Sequence, residues 1–188
     1  MVIRSAFPDV EIPDVSLTDF VLARAAERGD KPAFIDAPSG RTISYAQLLE
    51  LVRAAAGGLA ARGFGKGEVF AHYAPNRPDY AVAFHAVAMV GGVNTTANPL
   101  LTADELASQL GDSGARLLVT VPELLEKARP AAQQAGVEEI FVYGETPAHR
   151  RLRRCSQRAR DRRRSRSTPS RIWSRCRIQA ARPACLKA

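Results

Sequence analysis

Strand-like runs alternate with helix-like runs between residues 69 and 143, and this alternation leaves few architectures open to the chain. Residues 69–73, 93–96, 116–121 and 137–143 are short, apolar and rich in β-branched or aromatic side chains, as strands buried on both faces are. Between them lie three stretches with helical character. Residues 79–90 are almost wholly apolar and follow a break at Pro75, Asn76, Arg77 and Pro78, while 102–113 and 123–135 read as the next two helices. A strand that rejoins its own sheet through a helix does so by a right-handed parallel crossover. The order β-α-β-α-β-α-β therefore predicts an α/β fold, a mainly parallel sheet with helices on its faces.

Local signals mark the boundaries. Leu17, Phe20, Val21 and Ala25 make the apolar face of an opening helix that stops at Gly29. Residues 31–36 and 41–45 flank Pro38 and Gly40 and read as a short hairpin. Ser44 with Gln47 is a capping box, followed by Leu48, Leu51, Val52, Ala55 and Leu59 at helical spacing and by Gly63 as the residue past the helix end. Thr102 with Glu105 is a second capping box. Gly91 and Gly92 allow a sharp turn and a close approach of the next strand, and Asn98 before Pro99 sets a turn in which Asn bonds its own backbone.

Charge divides the chain in two. Residues 1–148 hold 12 Lys and Arg against 18 Asp and Glu, a net −6, whereas residues 149–188 hold 15 against the single Asp161, a net +14, and together they give the overall +8. All three cysteines, Cys155, Cys176 and Cys185, and the only tryptophan, Trp173, lie in the second part. Their spacing fits neither a disulfide framework nor a zinc site. A hydrophobic fraction of 46% suffices for one core. No apolar run reaches the ~20 residues of a bilayer span, and Asp9, Glu11 and Asp14 stand where a secretory signal carries basic and apolar residues. The expectation is a cytoplasmic protein with no membrane span.

Three segments carry a family resemblance. Ile43, Ser44, Tyr45, Gln47 and Leu48 resemble the first core motif of the adenylate-forming superfamily. Tyr73 to Tyr80, with Asn76, Arg77, Pro78 and Asp79, resembles the turn that leads into its apolar helix. Ala86 to Leu100, followed by Thr102 to Leu106, closely resembles the second core motif as 4-coumarate–CoA ligases write it. The chain thus resembles the amino-terminal part of an AMP-forming acid–CoA ligase, of the 4-coumarate–CoA ligase and acyl-CoA synthetase branch, across about residues 15–145. The resemblance implies that residues 1–148 form part of the ligase N-terminal subdomain. It also implies that the intact enzyme uses ATP, Mg and CoA: a carboxylic acid attacks the α-phosphate to give an acyl-adenylate, and the CoA thiol then displaces AMP. The Ser/Thr/Gly-rich loop that cradles the phosphates, and the small domain with the catalytic lysine, are not found in this sequence.

Accordingly no residue of this chain is nominated as catalytic, cofactor-binding or metal-ligating, and the chain is read as a truncated, inactive ligase. Residues 1–148 offer no nucleophile–base pair, metal cluster or phosphate loop. His72 in a strand and His85 on the apolar helix are the histidines that invite a catalytic role, and packing is the reading given to both.

The basic tail, 149–188, has few large apolar residues after Leu152 and is expected to be mostly disordered. Arg160 to Ser167 looks like an arginine–serine segment, which leaves open a nucleic-acid-binding protein, and a non-catalytic regulatory or dimerisation fragment is the other alternative. A third origin fits the residues better. Written as degenerate codons and regrouped by one base, the 17 residues from Ile172 to Ala188 permit Asp-Leu-Val-Ala-Leu-Pro-Tyr-Ser-Ser-Gly-Thr-Thr-Gly-Leu-Pro-Lys-Gly, the superfamily's phosphate-binding motif. The tail is therefore read as out of frame, with the shift between residues 145 and 149.

Overall fold

In a computed structural model, residues 7, 8, 10–144 and 173–176 are described, and everything below concerns these. The chain opens with α1 (Leu17–Leu22), capped by the Ser16 hydroxyl on the Asp19 amide, and α2 (Ala25–Arg28). The single opening helix expected from the spacing is thus divided at Ala23 and Arg24. Strands β1 (Pro32–Ile35) and β2 (Thr42–Ser44) pair antiparallel as the expected hairpin, with Gly40 at φ +68° in the turn. Helix α3 (Tyr45–Ala60) begins with the reciprocal Ser44 and Gln47 bonds of a capping box, an arrangement worth about 1 kcal/mol. Past its end Gly63 takes φ +70°, a conformation that a side chain with a Cβ rarely adopts.

The sheet follows. Strand β3 (Val69–Tyr73), α4 (Pro78–Met89), β4 (Val93–Ala97), α5 (Ala103–Ser113), β5 (Ala115–Thr120), a 3-10 turn (Pro122–Leu124), α6 (Leu125–Gln134) and β6 (Glu139–Tyr143) succeed one another. The strand order is β4-β3-β5-β6, all parallel, with β7 (Trp173–Cys176) added antiparallel beside β6. The sequence reading placed no element in the tail, so β7 is an addition to it. The expected disorder of the rest of 149–188 lies outside the described residues, as do Cys155, Cys185 and the proposed point of frame change.

Alternate residues of each strand feed two cores. Phe70, Leu117, Val119 and Phe141 face α3 and α4, joined by Val52, Leu59, Val82 and Val87. Ala71, Leu118, Ile140 and Val142 face α5 and α6, joined by Leu106, Leu110, Ala128 and Ala132. A fully buried Leu or Phe of this kind contributes about 1.5–3 kcal/mol. The nearly all-apolar α4 is accounted for by this placement, since it is packed by α1, α3 and β4 at once.

Sequence signals read for turns act as expected. At Gly92 an added Cβ would lie 2.6 Å from the Phe64 ring, so any side chain there would force the ring to shift. Asn98 Oδ1 accepts the Leu100 amide at 2.9 Å. At the amino ends of the strands, Arg116 donates to Glu138 at 2.8 Å, to the Gly63 carbonyl at 3.0 Å and to Glu68. These bonds hold its guanidinium above its ordinary pKa, the Glu138 bond first.

Candidate functional site

The order β4-β3-β5-β6 reverses direction at β3: the chain steps outward to β4 through α4, then crosses to the other side of β3 through α5. Ligands of open α/β sheets settle outside the carboxyl ends of the strands at such a reversal. Here that region is built from the turn after β3, the first turn of α4, the β1–β2 hairpin and the end of β6.

Asp79 is its centre. As the second residue of α4 it sits favourably at the positive end of the helix dipole, and it is 5% exposed. Arg41 from the hairpin end donates to both its oxygens, at 3.0 and 2.9 Å, and Arg77 adds Nε and Nη2 on Oδ2 at 3.2 and 3.1 Å. Arg77 also covers the ring of Tyr143, 5.0 Å from its centroid. Burial, and then the neighbouring Asp79 and Tyr80, push the Tyr143 phenol far above its ordinary pKa, with Arg77 opposing. Its hydroxyl has no hydrogen-bond partner among the described residues. Beside this cluster opens a cleft of about 440 Å³ lined by Phe34, Ile35, Asn76, Arg77, Tyr80 and Ala81.

The two histidines lie apart and hold packing together. His72 on β3 is fully buried, its Nε2 2.7 Å from Asn94 Oδ1, while Asn94 in turn donates to the Phe84 carbonyl at 3.1 Å. The His72 ring also lies 4.7 Å from that of Tyr80, tilted by 34°. Burial lowers its pKa from 6.5 to about 4 against the opposing Asn94 bond, so the ring is neutral at pH 7. His85 Nδ1 meets Thr18 Oγ1 at 3.1 Å and joins α4 to α1, and burial lowers its pKa as well. His72 thus packs on Tyr80, the residue next to Asp79, but its printed hydrogen bond goes to Asn94, and that of His85 goes to Thr18.

The described residues at this end offer no ready ligand set for Mg. Of the two carboxylates beside the cleft, Asp79 has both oxygens held by guanidinium groups and Asp36 accepts the Ser39 hydroxyl, and no group of three possible metal ligands occurs among the described residues. What the arrangement does is mechanical: it clamps the hairpin and the end of β6 to α4. The sequence exposed Asn76, Arg77, Pro78 and Asp79 as a turn but not the arrival of Arg41, which lies 38 residues earlier.

The family model for AMP-binding enzymes matches residues 21–178, most of the chain and two residues past the end of β7. The chain belongs to that family. Two relatives from Oryza sativa subsp. japonica agree with the assignment. Its 4-coumarate–CoA ligase 5 is 42% identical over 76% of this chain, and its 4-coumarate–CoA ligase 3 is 39% identical over 77%, each match taking up 26% of the relative. Among solved structures, a long-chain-fatty-acid–CoA ligase from Archaeoglobus fulgidus superposes with a TM-score of 0.70 at 30% identity, covering 77% of this chain and 30% of the other. This family member therefore spans about a quarter of the length of the curated relatives it matches, and its four parallel strands with flanking helices correspond to part of the ligase N-terminal subdomain. No described helix is long and apolar enough to cross a membrane.

Proposed function

We propose that this chain is the scaffold portion of a cytoplasmic AMP-forming acid–CoA ligase and does not itself turn over substrate. The complete reaction under this reading joins a carboxylic acid to CoA with conversion of ATP to AMP and pyrophosphate. The relatives' names point to an aryl-propenoic acid such as coumarate, or to a long-chain fatty acid and hence fatty acid metabolism, as the substrate class. The observation that carries the scaffold role is the engagement of Asp79, His72 Nε2 and His85 Nδ1 in contacts that join one element to another. Asp79 is clamped by Arg41 and Arg77, while His72 and His85 are tied to Asn94 and Thr18.

The tail belongs to the same reading as an out-of-frame extension. Strand β7 falls on Trp173–Cys176, where the regrouped codons read Leu-Val-Ala-Leu, an apolar strand-like run directly ahead of the Ser-Ser-Gly-Thr-Thr-Gly loop. That coincidence supports the frame reading.

The test compares the 188-residue chain with a one-base correction between codons 145 and 149. The chain is expected to show no acid-dependent ATP–pyrophosphate exchange with coumarate or a long-chain fatty acid, and the corrected, longer product to show it. Loss of phosphate positioning and charge stabilisation costs several kcal/mol of barrier each. Turnover by the chain above a no-enzyme control overturns the scaffold reading. A corrected frame that encodes no such loop overturns the frame reading.

A further inference from the structure

Strand β6 is composed like an interior strand, although the strand order leaves its outer side to whatever the chain brings after residue 144. All five of its residues are buried. Phe141 and Tyr143 feed one core, while Ile140 and Val142 feed the other. Residues 140–143 hold no charge and no proline, and β6 pairs with β5 in an unbroken register, so this border lacks the devices that keep a sheet from recruiting another strand. The opposite border differs. There β4 is partly exposed, and Gln109 Nε2 donates to its Thr96 carbonyl at 3.0 Å, occupying one of its main-chain acceptors.

What fills the β6 border has the composition of an edge. Strand β7 runs antiparallel to β6 in four successive pairs, from Trp173 opposite Tyr143 to Cys176 opposite Ile140. Its sequence, Trp-Ser-Arg-Cys between Arg171 and Arg177, carries a charge in mid-strand, as border strands do. Pairing of so apolar a strand with so polar a one points to recognition through main-chain N–H and C=O groups, which every sequence shares. Residues 145–172 join the two strands, so the pairing is intramolecular, and closure of the connection grows costlier only slowly with its length. A four-residue ladder at a border also belongs to the weakly held parts of a fold, which open locally.

We propose that the outer edge of β6 is a binding site for an extended peptide strand, selected by direction and main-chain pairing, and that β7 is its tethered, displaceable occupant. The site is self-occluded in the 188-residue chain, because β7 covers it against strands of other molecules. The inference holds whichever frame encodes residues 149–188 and needs no turnover, so its failure leaves the scaffold and frame readings as they are.

The full chain is compared with the double variant Ser174→Pro, Arg175→Pro, which removes whichever of the two amides faces β6 and leaves residues 1–148 unaltered. Two fluorescent peptides, one of residues 171–178 and one reading Asp-Leu-Val-Ala-Leu-Pro, are titrated under reducing conditions and followed by anisotropy. The variant is expected to bind both with similar affinity, about tenfold or more tightly than the parent chain does, and to lose both when alternate peptide amides are N-methylated. In the unmodified chain, amides of residues 140–143 that face β7 are expected to exchange with deuterium about tenfold or more faster than those that face β5. Equal peptide binding by parent and variant overturns the proposal, as does absence of binding by a variant whose circular dichroism matches the parent's. Selectivity for one peptide, retention of the N-methylated forms, or uniform protection along β6 in the unmodified chain overturns it as well. A variant that dimerises and excludes both peptides assigns the edge to a second copy, and that too overturns it.

Discussion

Arg41 and Asp79, 38 residues apart, meet as a parallel two-bond pair in which Nη1 donates to Oδ2 at 3.0 Å and Nη2 to Oδ1 at 2.9 Å. The pair fastens the β1–β2 hairpin to the first turn of α4, and its two members are not equivalent. The Asp79 side chain is 8% exposed and also carries Arg77, whereas Arg41 is 48% exposed. Replacing Asp79 by Asn leaves two guanidinium groups facing one another without their shared anion. A loss of about 3 kcal/mol is expected. Arg41→Ala removes a half-solvated partner while Arg77 still neutralises the carboxylate, and about 1 kcal/mol or less is expected. Urea unfolding of the two variants checks the order; equal losses would contradict it.

Gly92 gives a second prediction. Its hypothetical Cβ would stand 2.6 Å from Phe64 Cε1 and 3.0 Å from Val87 Cγ1, both in the buried core between the sheet and α4. Gly92→Ala is therefore an overpacking substitution, expected to lower stability by about 1–3 kcal/mol. Adding Phe64→Leu retracts the ring edge. The double variant is expected to be more stable than the sum of the two single losses predicts, a coupling that a thermal or urea double-mutant cycle measures directly.

The third prediction concerns acid. Burial holds His72 at about 4 in the folded chain against 6.5 when unfolded, so between those values the unfolded state binds the extra proton. Stability from the neutral ring is fully present above pH 6.5 and is lost as pH falls toward 4. The shift amounts to about 3 kcal/mol across that window. His72→Gln keeps a donor for Asn94 and does not titrate there. Its stability is expected to fall less steeply than the parent's between pH 6.5 and 4, and parallel curves would show that His72 contributes nothing to acid sensitivity.

The same residues show why parts of the fold were legible and others not. Ser44 with Gln47 and Thr102 with Glu105 announce helix starts through bonds three residues long, and both capping boxes form as read. The four strands and their parallel order follow from composition and crossover geometry. The orientation of the opening helix was not legible, since its apolar Leu17, Phe20 and Val21 are exposed while Leu22 is buried and Thr18 bonds to His85, 67 residues away. A contact that distant leaves no local trace. The Arg41 clamp on Asp79 escaped for the same reason, and β7 because Trp173–Cys176 reads as polar sequence inside a basic run. Resemblance, by contrast, identified the family from segments whose only local content is turns and caps.

The fourth prediction separates a selected basic arm from an incidental one. The net +14 of residues 149–188 against −6 for residues 1–148 means that nucleic acid, if bound, is held by tail cations on phosphates. Such binding releases counterions, with log K falling by about 0.9 per decade of salt for each duplex phosphate neutralised. The full chain is expected to bind unrelated duplexes with similar affinity, and to lose that binding steeply between about 50 and 200 mM salt, as phosphate-only contact does. Fluorescence anisotropy with two unrelated duplexes across a salt series makes the measurement. Preference for one sequence, or affinity that survives high salt, would require contacts to bases beyond phosphate charge. It would then count against the tail as an out-of-frame extension and in favour of a segment maintained for recognition.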